Sequence, residues 1–518
     1  MRYFNVSGPC FQDEHYMIEA ATRLRGVEQL IDMNQYFVIH AARQSGKTTY
    51  LKDLANRLNG GGRYYCAYCS LESLQEVKEP EIGIAEIVAR IKMSLETYKI
   101  PEYETFAKNA DFKNFTKVLQ YELTKYCKTL DKPFVLLFDE ADCLSNGALI
   151  TFLRQLRNGY IDRDKAKFVK SIALVGMRNI RDYKAKIRPD SETLGSASPF
   201  NIVTKTLTLN NFTKEEIKQL YEQHTIESEQ IFEPAAIDLV WEKTQGQPWL
   251  VNAIVREVIF ELLDFDFKKT ITAKLCEEAI QNIILRRDVH IDSLLERLKE
   301  DRVRSVIEPM ILGEDFSDRL SDDYQYVTDL GVIKSIGGKI QPANPIYGEV
   351  IARTLSYDAQ EKLKLKKPDA TIPHYLKNGK IDINSLMQDF QQFWRENSAI
   401  WVEKFFYKEA APHLILMAFL QRILNGGGHI IRDMGAGTGR TDLCVVYENQ
   451  KYPIELKIRR GDKSVSEGIE QTMRYMDTFG CSEGWLAVFD QRLKIDWDEK
   501  IYIKKETVDG KTVTVFGL

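Results

Sequence analysis

The residues Ala41-Ala-Arg-Gln-Ser-Gly-Lys-Thr-Thr49 follow the apolar run Tyr36–His40 and open a helical pattern that continues toward Arg57. A short apolar strand that leads into a Gly-Lys-Thr turn and a helix is the context in which backbone amides hold phosphate oxygens. In such a loop Lys47 neutralises the β- and γ-phosphates, and the Thr48 hydroxyl binds a magnesium ion. The stretch therefore predicts an ATP site at the edge of a parallel α/β sheet.

The whole loop is predicted to contact the nucleotide. Loops of this kind usually begin with glycine, whereas this sequence has Ala41, so the first turn must accommodate a methyl group. The predicted nucleotide-binding residues of the loop are Arg43, Gln44, Ser45, Gly46, Lys47, Thr48 and Thr49.

A second apolar run, Phe134-Val-Leu-Leu-Phe138, ends in the acidic pair Asp139-Glu140. A buried strand that ends in carboxylates at the edge of a sheet is typical of proteins that hydrolyse ATP. Asp139 is predicted to bind Mg²⁺ together with Thr48, while Glu140 polarises the water that attacks the γ-phosphate. Arg178, after the apolar run 171–177, is predicted to reach the same phosphate, with an exposed surface arginine as the alternative.

Apolar runs alternate with helical patterns up to residue 211, which predicts a parallel sheet with flanking helices. Beyond it, Thr213-Lys-Glu-Glu216 has the form of a capping box, and apolar residues recur at helical spacing. Residues 322–351 have the pattern of a helix, a strand, a tight turn and a strand, which suggests a winged helix. The predicted division is an ATPase core at 1–211, a helical lid at 212–304, a winged-helix-like domain at 305–358, a lysine-rich linker at 359–395 and a last domain at 396–518.

The N-terminal part resembles the archaeal-type and STAND-type branch of AAA-like ATPases. The resemblance rests on the phosphate-binding loop, on the pair Asp139-Glu140, on Arg178 and on Gly246-Gln-Pro248. It implies a P-loop NTPase fold in which Pro248 of the lid packs against the nucleotide. It also implies that ATP acts as a conformational latch rather than as fuel for movement along a polymer.

In the last third of the chain, two strand-like runs carry a different set of polar side chains. Asp442 precedes the run Leu443–Tyr447, and Glu455 and Lys457 lie two residues apart in Tyr452-Pro-Ile-Glu-Leu-Lys457. Because side chains alternate along a strand, Glu455 and Lys457 are predicted to project from one face. Two carboxylates on Mg²⁺, with a lysine that positions or deprotonates water, suit the hydrolysis of a phosphodiester.

This set resembles the PD-(D/E)xK nuclease superfamily, which implies a restriction-endonuclease-like α/β fold. The successive positions of the superfamily motif are occupied by Glu409, Asp442, Glu455, Lys457 and Gln471. Glu403 is an alternative to Glu409 at the first position. The resemblance implies that Glu409, Asp442 and Glu455 bind the metal ion, Mg²⁺ or Mn²⁺, and that Asp442, Glu455, Lys457 and Gln471 carry catalysis. Thr441 precedes Asp442, at the position where the superfamily motif has proline.

Composition sets the remaining expectations. The chain has 518 residues, of which 44% are hydrophobic and 28% charged, as in globular proteins of several domains. A net charge of -4 gives no overall attraction to nucleic acid, so contact with DNA, the favoured partner, needs a local basic patch. The cysteines are scattered, and no second pair is present to complete a zinc site with Cys66 and Cys69. This cysteine usage fits a reducing cytoplasm. No stretch predicts secretion or membrane insertion, and a homo-oligomer is left open.

The sequence thus predicts an ATP-dependent switch protein that controls a metal-dependent nuclease. Two alternatives from other functional classes remain open. The first is a nucleotide-dependent nucleic-acid-binding or signalling module with an inactive nuclease fold. The second is an ATPase regulator whose C-terminal part serves as an assembly platform.

Overall fold

A computed structural model describes residues 1–19, 23–75, 77–144, 146–176, 202–286, 289–312, 321–336, 339–351, 375–377, 379–404, 411–424, 429–431, 443–447, 450–459, 463–490, 492, 495–508 and 510–518. The chain divides into two compact units. Unit 1 comprises Met1–Arg286 and Gln325–Gly331, and unit 2 comprises Arg287–Tyr324 and Val332–Leu518. Apart from the linker, which is corrected below, the finer domain boundaries predicted from the sequence stay a prediction.

The centre of unit 1 is a sheet of five parallel strands. The strands are β1 (Tyr36–His40), β2 (Tyr65–Ser70), β3 (Phe134–Asp139), β4 (Ser171–Gly176) and β5 (Val203–Thr208). Their order across the sheet is β2-β3-β4-β1-β5, and every neighbouring pair is parallel. The prediction of a parallel α/β sheet is therefore confirmed. The carboxyl ends of β1 and β3 lie at the same edge, which is where ligands bind in sheets of this kind.

Helices cover both faces of this sheet because successive residues of each buried strand point to opposite sides. On one face Phe37 and Ile39 pack with Leu51 and Leu54 of a helix, and on the other Tyr36 and Val38 belong to a second core. The helices of this part are α1 (Val27–Asp32), α2 (Lys47–Gly60), α3 (Pro80–Thr97), α4 (Val118–Thr129) and α5 (Asn146–Ile161). Helix α2 lies in the first core, and α3, α4 and α5 lie in the second.

A group of helices follows the sheet and is called the lid below. It consists of α6 (Lys214–Ser228), α7 (Pro234–Thr244), α8 (Pro248–Glu257), a π-helical turn (Val258–Leu262) and α9 (Ala273–Arg286). The capping box predicted at the start of α6 is confirmed: the amide of Glu216 donates to Thr213 Oγ1 at 3.2 Å, and the amide of Thr213 donates to Glu216 Oε2 at 2.8 Å. Both amides would otherwise lack a partner inside the helix.

Unit 2 begins with helices and a small hairpin. Helices α10 (Val289–Arg297) and α11 (Asp301–Leu312) are followed by α12 (Asp322–Asp329), whose last residues belong to unit 1. Strands β6 (Ile333–Ile336) and β7 (Lys339–Pro342) then pair in an antiparallel manner. A helix and two antiparallel strands thus lie where the sequence suggested a winged helix.

A mixed sheet of six strands forms the centre of unit 2. Its strands are β10 (His429–Ile431), β11 (Leu443–Tyr447), β12 (Gln450–Arg459), β13 (Glu483–Asp490), β14 (Ile503–Val508) and β15 (Lys511–Gly517). The order is β10-β11-β12-β13-β15-β14, with β12, β13 and β15 parallel to one another. The helices here are α13 (Ile383–Lys404), α14 (Ala411–Leu424), α15 (Lys463–Phe479) and α16 (Trp497–Lys500).

The C-terminal part of the predicted linker 359–395 requires a correction. A short hairpin of β8 (Leu376–Lys377) and β9 (Lys380–Ile381) leads into α13, and both contribute to the buried core of unit 2. Leu386, Met387 and Phe390 are fully buried in that core together with strand residues of the sheet. The apolar residues recur at helical spacing, but the lysines and prolines before them dominated the sequence pattern. The described residues of 375–395 are therefore part of the folded unit rather than a solvated connection.

Candidate functional site

The predicted phosphate-binding loop connects the end of β1 to the first residue of α2. Gly46 precedes α2 with φ 88°, a left-handed conformation that favours glycine. The amides of the first turn of α2 then have no acceptor inside the helix, and they carry the positive end of the helix dipole. The loop therefore offers amide donors and a favourable electrostatic potential to an anion.

Lys47 is nine-tenths buried at the start of α2. Its Nζ atom donates hydrogen bonds to the carbonyl oxygens of Ala41 at 2.9 Å and Ala42 at 3.1 Å. Burial lowers the pKa of Lys47, while the carboxylates of Glu140 and Asp139 act in the opposite direction. The ammonium group is thus held inside the loop by neutral carbonyls, from which it can turn to phosphate oxygens with little loss of solvation.

The carboxylate of Asp139, at the end of the fully buried strand β3, meets the loop. Thr48 Oγ1 donates to Asp139 Oδ2 at 2.6 Å, and the Asp139 side chain is 1% exposed. A hydroxyl and a carboxylate are hard oxygen donors, so this pair fits Mg²⁺. Tyr68 of β2 also donates to Asp139 Oδ2, at 3.1 Å. The sequence did not point to Tyr68, because its role depends on the pairing of β2 with β3.

Glu140 follows Asp139 in a left-handed backbone conformation, with φ 54°. Such a conformation is uncommon for a residue with a side chain and occurs preferentially at functional sites. Burial raises the pKa of Glu140 to about 7; Lys47 opposes this rise, whereas Asp142 and Asp139 add to it. A carboxyl group with this pKa is close to the optimum for a base that takes a proton from water near neutral pH.

Arg23 joins the phosphate-binding loop to the start of the lid. Its guanidinium donates to the carbonyl of Ser45 at 2.8 Å and to that of Asn210 at 2.6 Å, and it lies 4.8 Å from the centre of the Phe212 ring. Burial lowers the pKa of Arg23 to about 10. Sequence reasoning missed Arg23, because its acceptors are backbone oxygens and no local pattern marks them.

The lid reaches the loop through the segment Gly246-Gln247-Pro248. Gln247 Nε2 donates to the carbonyl of Gln44 at 3.4 Å, and Pro248 is the buried first residue of α8. Gly246 has φ 74°, and its carbonyl accepts a hydrogen bond from the amide of Phe212 at 2.8 Å. The segment thus contacts the loop through Gln247, and the contact of Pro248 with the nucleotide stays a prediction.

We expect Gly246→Ala to destabilise unit 1 strongly. A Cβ atom at residue 246 would lie 1.8 Å from the carbonyl oxygen of Phe212, in a backbone conformation that L side chains rarely adopt. We expect a loss of more than about 2 kcal/mol in the free energy of unfolding. Urea denaturation checks this, with Gly62→Ala as the matched control because Gly62 has φ 70° and open space around it. Equal losses for both variants would show that the contact with Phe212 does not matter.

Residues 5–10 lie between α2 and the lid. The amide of Cys10 donates to Thr49 Oγ1 at 3.0 Å, Trp249 Nε1 donates to the carbonyl of Val6 at 2.8 Å, and Asn252 Nδ2 donates to that of Asn5 at 3.0 Å. Thr49, predicted to contact the nucleotide, therefore anchors the N-terminal segment as well. Arg43 is exposed on the loop, and Arg178 lies outside the described residues.

The second predicted site lies in unit 2. Glu455 and Lys457 on β12 are neighbours: Lys457 Nζ lies 3.0 Å from Glu455 Oε1, and the Glu455 side chain is 2% exposed. Helix α15 packs against this face, since a Cβ atom on Gly468 would lie 3.1 Å from Lys457 Cγ. Gln471, one turn further along α15, has a buried Oε1 atom without a hydrogen-bond partner among the described residues. Asp442 and Glu409 lie outside the described residues.

The metal prediction for unit 2 rests on few described atoms. Among the described residues, no group of three or more histidine, cysteine, aspartate or glutamate side chains is placed to hold a metal ion. Glu455 contributes one carboxylate, and the other predicted ligands are not described.

In the described parts of the chain, no helix is long and apolar enough to cross a membrane.

The parallel sheet, the loop around Lys47 and the Thr48–Asp139 pair define a P-loop nucleotide-binding ATPase domain. The chain belongs to the family of AAA-like domains, whose model matches residues 8–351. The recognition of an AAA-like P-loop ATPase domain is thereby confirmed, whereas the family match does not extend to a nuclease domain.

Solved structures of P-loop proteins are similar to part of this chain. The Walker-type ATPase of Pyrococcus abyssi is 14% identical with a TM-score of 0.47, over 67% of this chain and 99% of that chain. The RuvB Holliday junction branch migration motor of Thermotoga maritima is 14% identical with a TM-score of 0.34, over 63% and 91%. The ORC1 protein of Aeropyrum pernix, solved in complex with DNA, is 13% identical with a TM-score of 0.33, over 67% and 95%. No functionally curated protein matches the sequence.

Proposed function

We propose that unit 1 binds and hydrolyses ATP with Mg²⁺, and that this cycle controls a metal-dependent nuclease in unit 2. The observation that carries the first half is the convergence of Lys47, Thr48, Asp139 and Glu140 at the end of β1 and β3. The family supports ATP binding and ATPase activity. The second half rests on the Glu455–Lys457 pair and on Gln471.

In the proposed ATPase reaction, each polar group has a distinct part. The amides at the start of α2 and the Lys47 ammonium bind the β- and γ-phosphates, and Lys47 exchanges its carbonyl acceptors for phosphate oxygens. Thr48 and Asp139 would hold Mg²⁺, which when bound offsets the phosphate charge. Glu140 accepts the proton of the attacking water, a role for which its raised pKa suits it.

In the proposed nuclease reaction, Lys457 orients the water that attacks the phosphodiester. The Glu455 carboxylate holds the Lys457 ammonium at 3.0 Å and would also bind the metal ion, which when bound offsets charge on the phosphate. Asp442 and Glu409 are proposed as the further ligands. The buried Oε1 atom of Gln471 would accept a hydrogen bond from water in this site.

The proposal is tested on the full chain with supercoiled DNA, linear DNA and RNA, in Mg²⁺ or Mn²⁺, with and without ATP. We expect DNA cleavage whose rate changes with ATP. ATP hydrolysis without cleavage of any substrate, combined with DNA binding, would instead support a nucleotide-dependent binding module with an inactive nuclease fold.

We expect Lys47→Ala to abolish ATP hydrolysis and to weaken ATP binding by at least about tenfold, because a charged contact to phosphate is lost. Fluorescence titration with a labelled ATP analogue and phosphate-release assays measure both effects. Lys128→Ala, at an exposed position near the end of α4, is the control and should resemble wild type. Unchanged binding by the Lys47 variant would place the nucleotide elsewhere in the molecule.

A further inference from the structure

A cavity of about 420 Å³ lies between the first residues of the chain and the far part of the lid, within unit 1. Phe4, Tyr16 and His224 line one side, and Phe260, Phe265 and Arg256 are among the other lining residues. This volume falls in the range of small-molecule sites, roughly 300–1,000 Å³.

The cavity is separate from the phosphate-binding loop. Gln247, which contacts the loop, precedes the first residue of α8, whereas Arg256 lies near its C-terminal end. Nine residues of helix at 1.5 Å each place Arg256 about 13 Å further along the axis. The Arg256 end of the cavity therefore lies away from the phosphate-binding loop.

Aromatic rings form most of the cavity wall. The Phe4 and Tyr16 rings lie 4.8 Å apart, and the Phe260 and Phe265 rings lie 4.6 Å apart. The His224 ring completes the first group at 5.6 Å from Phe4, with both of its nitrogens engaged by Tyr16 and Gln230. These tilted rings offer flat apolar faces, which a planar ring fits best.

Arg256 places a positive charge at this wall. Its guanidinium lies 4.2 Å from the centre of the Phe260 ring, and among the described residues it forms no ion pair with a carboxylate. Arg2, the other lining arginine, is paired with Glu227 at 2.7 Å. No aspartate or glutamate is found among the described residues that line the cavity. The Arg256 charge therefore lies next to aromatic faces, with no carboxylate among the described residues that line the cavity.

The backbone leaves helical geometry just before Phe265. The π-helical turn Val258–Leu262 ends α8, and Asp264 and Phe265 then follow with φ 45° and φ 60°. Left-handed residues other than glycine, and π-helical turns, concentrate at ligand-binding sites. Phe265 is 51% exposed although it lines the cavity, so its apolar ring lies both at the cavity and in contact with solvent.

We propose that this cavity binds a small planar aromatic anion, such as an aromatic carboxylate or sulfonate. The ring of the ligand lies against Phe260 and Phe265, and its anionic group pairs with Arg256. Arg256 thus provides the selectivity for charge, and Phe265 provides the contact that excludes water from the ring.

The test uses the full chain without nucleotide, so it does not depend on the ATPase or the nuclease proposal. The fluorescent probe is 8-anilinonaphthalene-1-sulfonate, displaced by indole-3-acetate or by its neutral counterpart, indole-3-acetamide. We expect one saturable probe site per chain and displacement by the acetate at least about tenfold more effective than by the amide, because a charged hydrogen bond is worth about 1.5–3 kcal/mol.

Two variants separate charge from ring contact. Arg256→Gln should make indole-3-acetate no more effective than indole-3-acetamide at displacing the probe. Phe265→Ala should weaken displacement by both ligands. The controls are Arg63→Gln, an arginine stacked on Tyr64 at 5.1 Å, and Phe112→Ala, at a phenylalanine 42% exposed; both should behave as wild type. Absence of a saturable site, equal displacement by acetate and amide in the wild type, or equal effects of the control variants would overturn the proposal.

Discussion

Glu140→Gln should reduce ATP hydrolysis by about 10²- to 10⁴-fold, the usual contribution of a general base, while ATP still binds. The substitution keeps the shape of the side chain but removes its ability to accept a proton from water. Because burial already raises the pKa of Glu140 to about 7, the loss of one negative charge should change nucleotide affinity little. Phosphate release at saturating ATP and a binding titration measure the two effects separately.

A nearby carboxylate provides the control for this prediction. Glu72 acts electrostatically on Glu140 but is exposed, so Glu72→Gln should keep the rate within about twofold of wild type. If Glu140→Gln retains more than a tenth of the wild-type rate, another group takes the proton. If it also loses ATP binding, Glu140 acts on affinity rather than on the chemical step.

The ATP site could be predicted from sequence because its parts are local. Lys47 and Thr48 lie in one turn between a strand and a helix, and Asp139 and Glu140 end a short apolar run that is typical of a buried strand. Parallel strands then bring both groups to one edge of the sheet. The sequence specifies each part by residue type and spacing, so no knowledge of the tertiary contacts was needed.

Tyr68 and Arg23 could not be predicted in the same way. Tyr68 contacts Asp139 only because β2 pairs with β3, a pairing that the sequence does not encode locally. Arg23 donates to Ser45 and to Asn210, which are 22 and 187 residues away along the chain. Contacts between a side chain and distant backbone oxygens leave no pattern of residue types. The links between the loop and the lid are therefore a finding of the structure.

In unit 2, the alternation of side chains on β12 was sufficient to predict that Glu455 and Lys457 share a face. The contribution of β9 and α13 to the buried core was missed for a different reason. The apolar positions of α13 begin directly after a segment rich in lysine and proline, and composition averaged over the whole stretch hid them. Periodicity read from Ile383 onward would have shown the helix.

If unit 2 is a nuclease, Lys457→Ala should lower the rate of DNA cleavage at least about 10²-fold. Lys457 is the group proposed to orient the attacking water, and its ammonium lies 3.0 Å from Glu455. Cleavage of DNA in Mn²⁺ measures the effect, and binding of the same DNA should persist. Lys505→Ala, at an exposed position on β14, is the control and should cut as wild type does.

Lys457→Ala also removes the ammonium that lies 3.0 Å from the buried Glu455 carboxylate, and the loss of an ion-pair partner at a buried charge destabilises a protein. Glu455→Gln avoids this, because the neutral amide tolerates burial and can still contact Lys457. We expect both variants to lose cleavage, but only Lys457→Ala to lower the thermal unfolding temperature. Full cleavage by a stably folded Glu455→Gln variant would contradict the nuclease proposal. Loss of cleavage by both variants, with DNA affinity retained, would show that this pair acts in the chemical step rather than in holding the fold together.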